Sequence, residues 1–187
     1  MNKLLLLTVT MLMLWTACTP KIYTDQKFFT CAKEEFESSN SDKSQLFKAV
    51  LHHALLEEKD LPGYESLADP NRVYVLDLMY QTSPTSDSPE MTRVTTSELP
   101  SSVGEVVFCV KSKRELQEIA DRAGAFMYLI LGVVELTEQN AVVAIESQWQ
   151  TSRLDPLAIA DGGGYTCRFI QKDDQWTFDK KLDSWSM

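Results

Sequence analysis

The spacing of hydrophobic residues divides the chain into three parts. Residues 4–17 form an apolar run without a break, and residues 25–60 carry apolar side chains three and four positions apart. From residue 125 onward, apolar and polar side chains largely alternate. A period near 3.6 indicates amphipathic helices, and a period of two indicates half-buried strands. The pattern therefore predicts an apolar leader, a helical first part and a sheet in the second half.

The helical part contains two predicted helices. Residues 25–37 place four apolar side chains on one face, namely Phe28, Phe29, Ala32 and Phe36. Residues 41–60 form a second stripe, composed of Leu46, Phe47, Val50, Leu51, Ala54 and Leu55. We expect Asp42 to cap the second helix together with Gln45, three residues further on. Pro62 and Gly63 are expected to end that segment.

A third, short helix is predicted after residue 111. Ser112 and Glu115 have the spacing of a capping box, in which each side chain accepts a hydrogen bond from the other residue's backbone N–H. The apolar face comprises Leu116, Ile119, Ala120 and Ala123. Gly124 follows at the position where a glycine commonly ends a helix.

Six segments have the pattern of strands: residues 72–80, 105–110, 125–137, 140–150, 164–171 and 175–185. Residues 125–137 are apolar on both faces, as in a central strand, and Gly132 is a candidate bulge. The residues expected to face inward in the last three are Val143, Ile145, Trp149, Tyr165, Cys167, Phe169, Trp176, Phe178 and Leu182. Turn residues at 138–140 and 173–174 then predict a four-strand antiparallel meander.

This order of elements predicts an α+β fold, with N-terminal helices packed on a curved antiparallel sheet. The order resembles the NTF2-like or cystatin-like cone fold, and the resemblance implies a cavity at the wide end of the cone. Residues 111–180 also resemble small bacterial envelope proteins, a likeness that implies no activity.

The N-terminal apolar run predicts an export signal. It follows Lys3 and extends over 14 residues, which is short for a membrane-spanning helix of roughly 20 residues. A secretory signal has an apolar region of about 7–15 residues that ends in small side chains, here Thr16 and Ala17. Alternatives are an ordinary signal peptide followed by a chance cysteine, or an uncleaved anchor.

The residues before Cys18 resemble the lipobox of bacterial lipoproteins, although Trp15 stands where that family usually has leucine. The resemblance covers residues 1–18 and implies acylation of Cys18 and a signal peptide over residues 1–17. We interpret residues 18–24 as a lipidated tether, and the length of the remaining chain is typical of a single domain over residues 25–187. Thr19 is not the acidic residue associated with inner-membrane retention. The implied location is therefore the cell envelope, lipid-anchored at the outer membrane and facing the periplasm.

The net charge of the chain narrows the range of partners that we expect it to bind. The chain has 18 cationic and 27 acidic residues and a formal net charge of −9. Such an excess of acid disfavours binding to nucleic acid and to anionic lipid headgroups. The expected contact with a membrane is therefore made through the N-terminal lipid alone.

Three cysteines remain besides Cys18: Cys31, Cys109 and Cys167. Cys109 and Cys167 both lie in apolar, strand-like runs. They are interpreted as buried small hydrophobic residues, and a Cys109–Cys167 disulfide is the alternative if their strands are neighbours.

Known catalytic and metal-binding motifs are missing from the sequence. His52 and His53, the two histidines, are adjacent on a predicted helix and point about 100° apart, so they cannot share a metal. The glycines at 162–164 are followed by Tyr165 and Thr166 in a strand, unlike a phosphate loop. We predict no catalytic residue, no cofactor and no metal ligand, and we interpret the glycines as a place of tight turning or close backbone approach.

One connection suggests a ligand site. Residues 151–164 are long for a hairpin loop, and four side chains lie at its ends: Trp149, Arg153, Tyr165 and Arg168. Aromatic rings with arginines are suited to a small anionic or peptide ligand. The alternative is a packed loop with surface arginines.

Three functions remain open. The first is a lipid-anchored envelope protein that acts as a non-catalytic binding or structural module. The second is an interaction or inhibitor protein of the immunity type. The third is an enzyme with its site in an NTF2-like cavity, which requires ionisable groups with shifted pKa values in a deep pocket.

Overall fold

A computed structural model describes residues 41–67, 72–81, 90–94, 98–154 and 162–186. Within these ranges the helices are α1 (Asp42–His52), a π-helix (His53–Glu58), α2 (Tyr64–Leu67) and α3 (Lys113–Ala123). The strands are β1 (Val73–Leu76), β2 (Leu78–Gln81), β3 (Glu90–Arg93), β4 (Ser102–Val103), β5 (Val106–Lys111), β6 (Phe126–Leu136), β7 (Asn140–Gln150), β8 (Gly163–Lys172) and β9 (Gln175–Ser186). The helix predicted over residues 25–37 lies outside the described residues.

The protein has an α+β fold with one curled, mixed sheet that forms a half-barrel. The strands follow the order β4-β5-β1-β6-β7-β8-β9, with β2 beside β6 and β3 beside β2. The meander from β6 to β9 is antiparallel, as predicted. This part of the fold follows from the strand patterns, with short turns between β6 and β7 and between β8 and β9 and a longer connection between β7 and β8.

The expectation of an antiparallel sheet is wrong for its first half. Strand β1 lies between β5 and β6 and is parallel to both, and β2 is also parallel to β6. Helix α3 connects β5 to β6 and returns the chain to the same end of the sheet. Such a helical crossover makes the strands on either side of β1 run in one direction.

The strand predicted over residues 72–80 is two strands. The chain bends at Asp77, whose backbone N–H donates to the carbonyl of Lys111 and whose carbonyl accepts from the N–H of Val94. Because of this bend, β1 pairs with β5 and β6 whereas β2 pairs with β3 and β6.

Two hydrophobic clusters cover the two faces of the sheet. The core face carries Leu129, Ile145 and Tyr165, which pack with α1 and the π-helix. The opposite face, here the α3 face, carries Tyr128 and Ile130, which cluster with Leu116 of α3. Burial of both faces explains why the β6 sequence is apolar at nearly every position.

Helix α1 and the π-helix together confirm the predicted stripe, but the cap of α1 differs from the prediction. Ser41 is the N-cap and accepts a hydrogen bond from the N–H of Ser44. Asp42 instead accepts from the indole Nε1 of Trp176, at 2.8 Å, and from the side chain of Gln171. The Asp42 carboxylate therefore connects the start of α1 to the hairpin of β8 and β9 through hydrogen bonds.

Helix α3 forms as predicted. Ser112 and Glu115 make both hydrogen bonds of the capping box, and Gly124 follows the last turn with φ of 92°. A residue with a Cβ rarely adopts this backbone conformation, which accounts for glycine at this position.

Two irregularities between β8 and β9 change which side chains face the core. The register shifts between Thr166 and Cys167 and again between Arg168 and Phe169. Leu182, predicted to face inward, is consequently 46% exposed. Lys181 lies over the ring of Tyr165 instead, with its Nζ 4.4 Å from the ring centroid. The bulge predicted at Gly132 is likewise misplaced, since the shift in β6 lies between Val133 and Glu135.

The glycines at the start of β8 allow close approach of backbones. A Cβ on Gly163 would collide with the carbonyl of Trp185 and lie 2.8 Å from the side chain of Pro62. A Cβ on Gly164 would collide with the carbonyl of Ile145 and lie 2.9 Å from the Cα of Glu146. The interpretation of these two glycines as points of close backbone approach is confirmed.

We predict that Gly164→Ala lowers the free energy of unfolding by about 2 kcal/mol, because backbone atoms must move to admit the methyl group. Gly132→Ala is the matched control, since its Cβ would meet side-chain carbons of Tyr80 and Ala144 at 3.2 and 3.3 Å. We expect the control to cost less than about 1 kcal/mol in urea unfolding. Equal losses in the two variants would contradict the explanation by backbone contact.

Candidate functional site

The four residues predicted to bind a ligand do not share one face of the sheet. Tyr165 is 2% exposed and belongs to the core, and Trp149 is half-buried against the same core cluster. Arg168 lies three positions after Tyr165 in β8 and points to the opposite face. Arg153 follows β7 and is exposed. The connecting residues 155–161 lie outside the described part of the chain.

Arg153 is bound by a carboxylate of α3. Its Nε and a terminal nitrogen donate to Oδ2 of Asp121 at 2.8 and 2.5 Å, and its backbone N–H donates to Oδ1 at 2.8 Å. The side-chain amide of Gln117 donates to the same carboxylate. These donors, chiefly Arg153, lower the pKa of Asp121 from 3.8 to about 2.

Arg168 is bound in the same manner by the neighbouring strand. Its Nε donates to Oδ2 of Asp179 at 2.6 Å, and a terminal nitrogen makes a second, short contact with that oxygen. Both predicted arginines therefore neutralise carboxylates of the protein itself. An anionic ligand would have to compete with Asp121 for Arg153 and with Asp179 for Arg168.

Sequence reasoning did not identify Asp121 as a partner. It lies 32 positions before Arg153, on the polar side of a helix with several other charged residues. No local spacing distinguishes it from Glu118, another carboxylate of the same helix. Asp121 becomes the partner of Arg153 only because α3 packs beside the end of β7.

His53, interpreted as structural, is the first residue of the π-helix and is 5% exposed. Its Nδ1 is 2.7 Å from Oε2 of Glu57, and its ring stacks on Phe178 with centroids 3.7 Å apart. Its Nε2 is buried without a hydrogen-bond partner in the described structure, and Oε1 of Glu58 is 3.8 Å away. The hydrogen bond to His53 is the main reason that the pKa of Glu57 is lowered.

Cys167 lies in the core and does not have the features of an activated nucleophile. Its Sγ is 3.7 Å from the carbonyl of Val143, with which it makes its hydrogen bond. Burial raises the pKa of its thiol to about 12, whereas a reactive cysteine requires a lowered pKa. The geometry thus gives no support for pairing Cys167 with His53 as nucleophile and base.

The two strand cysteines have different states. Cys167 is a free, buried thiol, whereas Cys109 is disulfide-bonded. A Cys109–Cys167 bridge is therefore wrong, and so is the interpretation of Cys109 as a simple hydrophobic residue. The sulfur that joins Cys109 lies outside the described residues.

Within the described ranges, no three histidine, cysteine, aspartate or glutamate side chains come together in a way that could hold a metal ion. Likewise, no helix there is long and apolar enough to cross a membrane.

Comparisons of the chain with models of protein families, with curated proteins and with solved structures found no match.

We predict that Arg153→Ala raises the pKa of Asp121 from about 2 toward its ordinary value of 3.8. A lowered pKa in the folded state contributes stability that is present above the unfolded value and is lost as the pH falls through about 2. The variant should lose this contribution at neutral pH. Carbon-detected NMR titration of the Asp121 carboxyl measures the shift directly.

Arg122→Ala is the control, because Arg122 is exposed and adjacent to Asp121 in sequence. It removes the same charge without removing a hydrogen bond to that carboxylate. An equal rise in both variants would show that general charge, and not the hydrogen bonds from the Arg153 guanidinium, controls this pKa.

Proposed function

We propose that this protein is exported and lipid-anchored in the cell envelope, at the periplasmic face of an outer membrane, and that its domain is a non-catalytic binding or structural module. The anchor is the acylated Cys18, after removal of residues 1–17. Residues 18–24 form the tether of a single domain over residues 25–187.

The observation that supports export most directly is the disulfide at Cys109. Structural disulfides persist in oxidising compartments and are rare in the reducing cytosol. Cys109 itself is buried between β1 and α3, in the cluster of Tyr74 and Leu116. This burial suits a structural bond better than an exchangeable one.

The identity of the other sulfur follows from the remaining cysteines. Cys167 is free, which leaves Cys18 and Cys31 among the four cysteines of the chain. An acylated Cys18 cannot form a disulfide through the same sulfur. The proposal therefore assigns the bond to Cys31 and Cys109.

A non-catalytic role is supported by how the ionisable groups are used. Arg153 and Arg168 are bound to Asp121 and Asp179, and the Cys167 thiol is held in its neutral form by burial. These groups stabilise the fold and are not poised for proton transfer or nucleophilic attack. The curled sheet with α1 packed on its core face is also consistent with an NTF2-like cone, which we propose as the detailed architecture.

Metabolic labelling with a fatty acid tests the anchor. In a bacterium that expresses the full chain, we expect label on the wild type and recovery in the membrane fraction. Cys18→Ala should lose the label, because the acylated sulfur is gone, and should leave an uncleaved or unanchored precursor. Cys167→Ala is the control and should keep the label. Label that persists in the Cys18→Ala variant would overturn the proposed anchor.

Peptide mapping without reductant tests the disulfide. We expect proteolysis of the exported protein to yield a Cys31–Cys109 cross-linked peptide, with Cys167 alkylated only after unfolding. Alkylation of Cys109 in the unreduced protein would contradict the support for export. A cross-link from Cys109 to Cys18 would instead contradict acylation at Cys18.

A further inference from the structure

Glu146 is a buried carboxylate without a cationic partner among the described residues. It lies on the α3 face of β7, opposite Ile130, and is 7% exposed. Its Oε1 accepts a short hydrogen bond from the side-chain amide of Gln148. Burying a carboxylate is costly unless opposite charge or several hydrogen bonds compensate it, and one neutral amide supplies little of that compensation.

The amide of Gln148 is itself held in place. The hydroxyl of Tyr128 donates to Oε1 of Gln148 at 2.7 Å, which directs the NH₂ group of Gln148 toward Glu146. The chain of donors thus ends on one oxygen of the carboxylate. Oε2 accepts no hydrogen bond from the described side chains, so its acceptor capacity is available to a donor from outside the protein.

Aromatic side chains lie around this carboxylate. Burial, followed by the negative charge of Glu146, raises the pKa of Tyr80 and raises that of Tyr128 to about 12. The register places both phenols on the α3 face, in the rows on either side of Glu146, since Tyr128 pairs with Gln148 and Tyr80 with Gly132. On the other side, Gly164 separates Glu146 from Trp185, because a Cβ on this glycine would lie 2.9 Å from both the Cα of Glu146 and the indole ring.

The strand register explains how these groups come together. Across β6, β7, β8 and β9, the paired residues are Ile130, Glu146, Gly164 and Trp185. The next row of paired residues includes Gly132 and Ala144. Because glycine has no side chain and alanine only a methyl group, no large side chain of this row covers the surface beside the carboxylate. The half-buried rings of Tyr80 and Trp185 border this surface.

We propose that Glu146 anchors a binding site for an organic cation, such as the primary ammonium or guanidinium group of a ligand or peptide side chain. The carboxylate supplies the opposite charge and a hydrogen-bond acceptor. The half-buried rings of Tyr80 and Trp185 supply aromatic faces that attract cations. The net charge of −9 favours approach of a positively charged ligand. The inference rests on the binding role in the proposed function and does not depend on the lipid anchor.

The test uses the full chain, purified with its disulfide intact, and n-butylammonium as the probe at constant ionic strength. Nitrogen-edited NMR follows the indole N–H of Trp185 and the side-chain amide of Gln148. We expect saturable shifts of both signals with n-butylammonium and none with n-butanol, which has the same alkyl chain without the charge. Shifts with both compounds, or with neither, would overturn the proposal.

Two variants test the residues. Glu146→Gln keeps the shape of the side chain and should weaken binding by at least about tenfold, whereas Glu138→Gln, at an exposed turn residue, should not. If Glu146→Gln fails to fold, Trp185→Leu at the partly exposed strand end should weaken binding severalfold. Unchanged binding in either site variant would overturn the assignment. A negative result in the labelling experiment would overturn the lipid anchor at Cys18 without changing these binding results. The two proposals can therefore be tested independently.

Discussion

Burial of β6 on both faces is the constraint on which the rest of the structure depends. Strand β6 pairs with β1 and β2 along one edge and with β7 along the other, so its backbone groups are satisfied within the sheet. Its side chains must then be covered above and below. Helix α1 with the π-helix covers one face and α3 covers the other. The mixed topology follows, because α3 reaches its place only as a crossover between β5 and β6.

The two covered faces have different chemistry. On the core face, the described polar groups are few: the ring of His53, at the start of the π-helix, stacks on Phe178, and the hydroxyl of Ser147 donates to backbone carbonyls. On the α3 face, tyrosines, glutamine and the carboxylate of Glu146 lie among apolar residues. A face that is polar, aromatic and only partly covered is a more suitable place for a ligand than a filled core. The proposed ligand site and the stabilising core therefore occupy opposite sides of the same strands.

The candidate site shows that residues close together in the sequence need not form one site in the folded protein. Trp149, Arg153, Tyr165 and Arg168 flank one connection in the sequence, yet alternation along β8 sends Tyr165 and Arg168 to opposite faces. The carboxylates that bind the arginines come from α3 and from β9. Glu146 had no distinguishing signal, since an acidic residue in an alternating strand usually faces solvent. Its neighbours across the sheet, Gly164 and Trp185, lie in strands that come later in the chain and meet β7 only in the folded protein.

The sequence by itself determined the features that depend on neighbouring residues. These include the cap and end of α3, the stripe of α1, the antiparallel meander and the alternation that places Tyr165, Cys167 and Phe169 inward. Only the tertiary structure decided the parallel pairing of β1, the bulges that put Lys181 in place of Leu182, and the disulfide at Cys109. The reason is physical: periodicity and capping act within a few residues, whereas register, ion pairs and disulfides form between segments that meet only when the chain is folded.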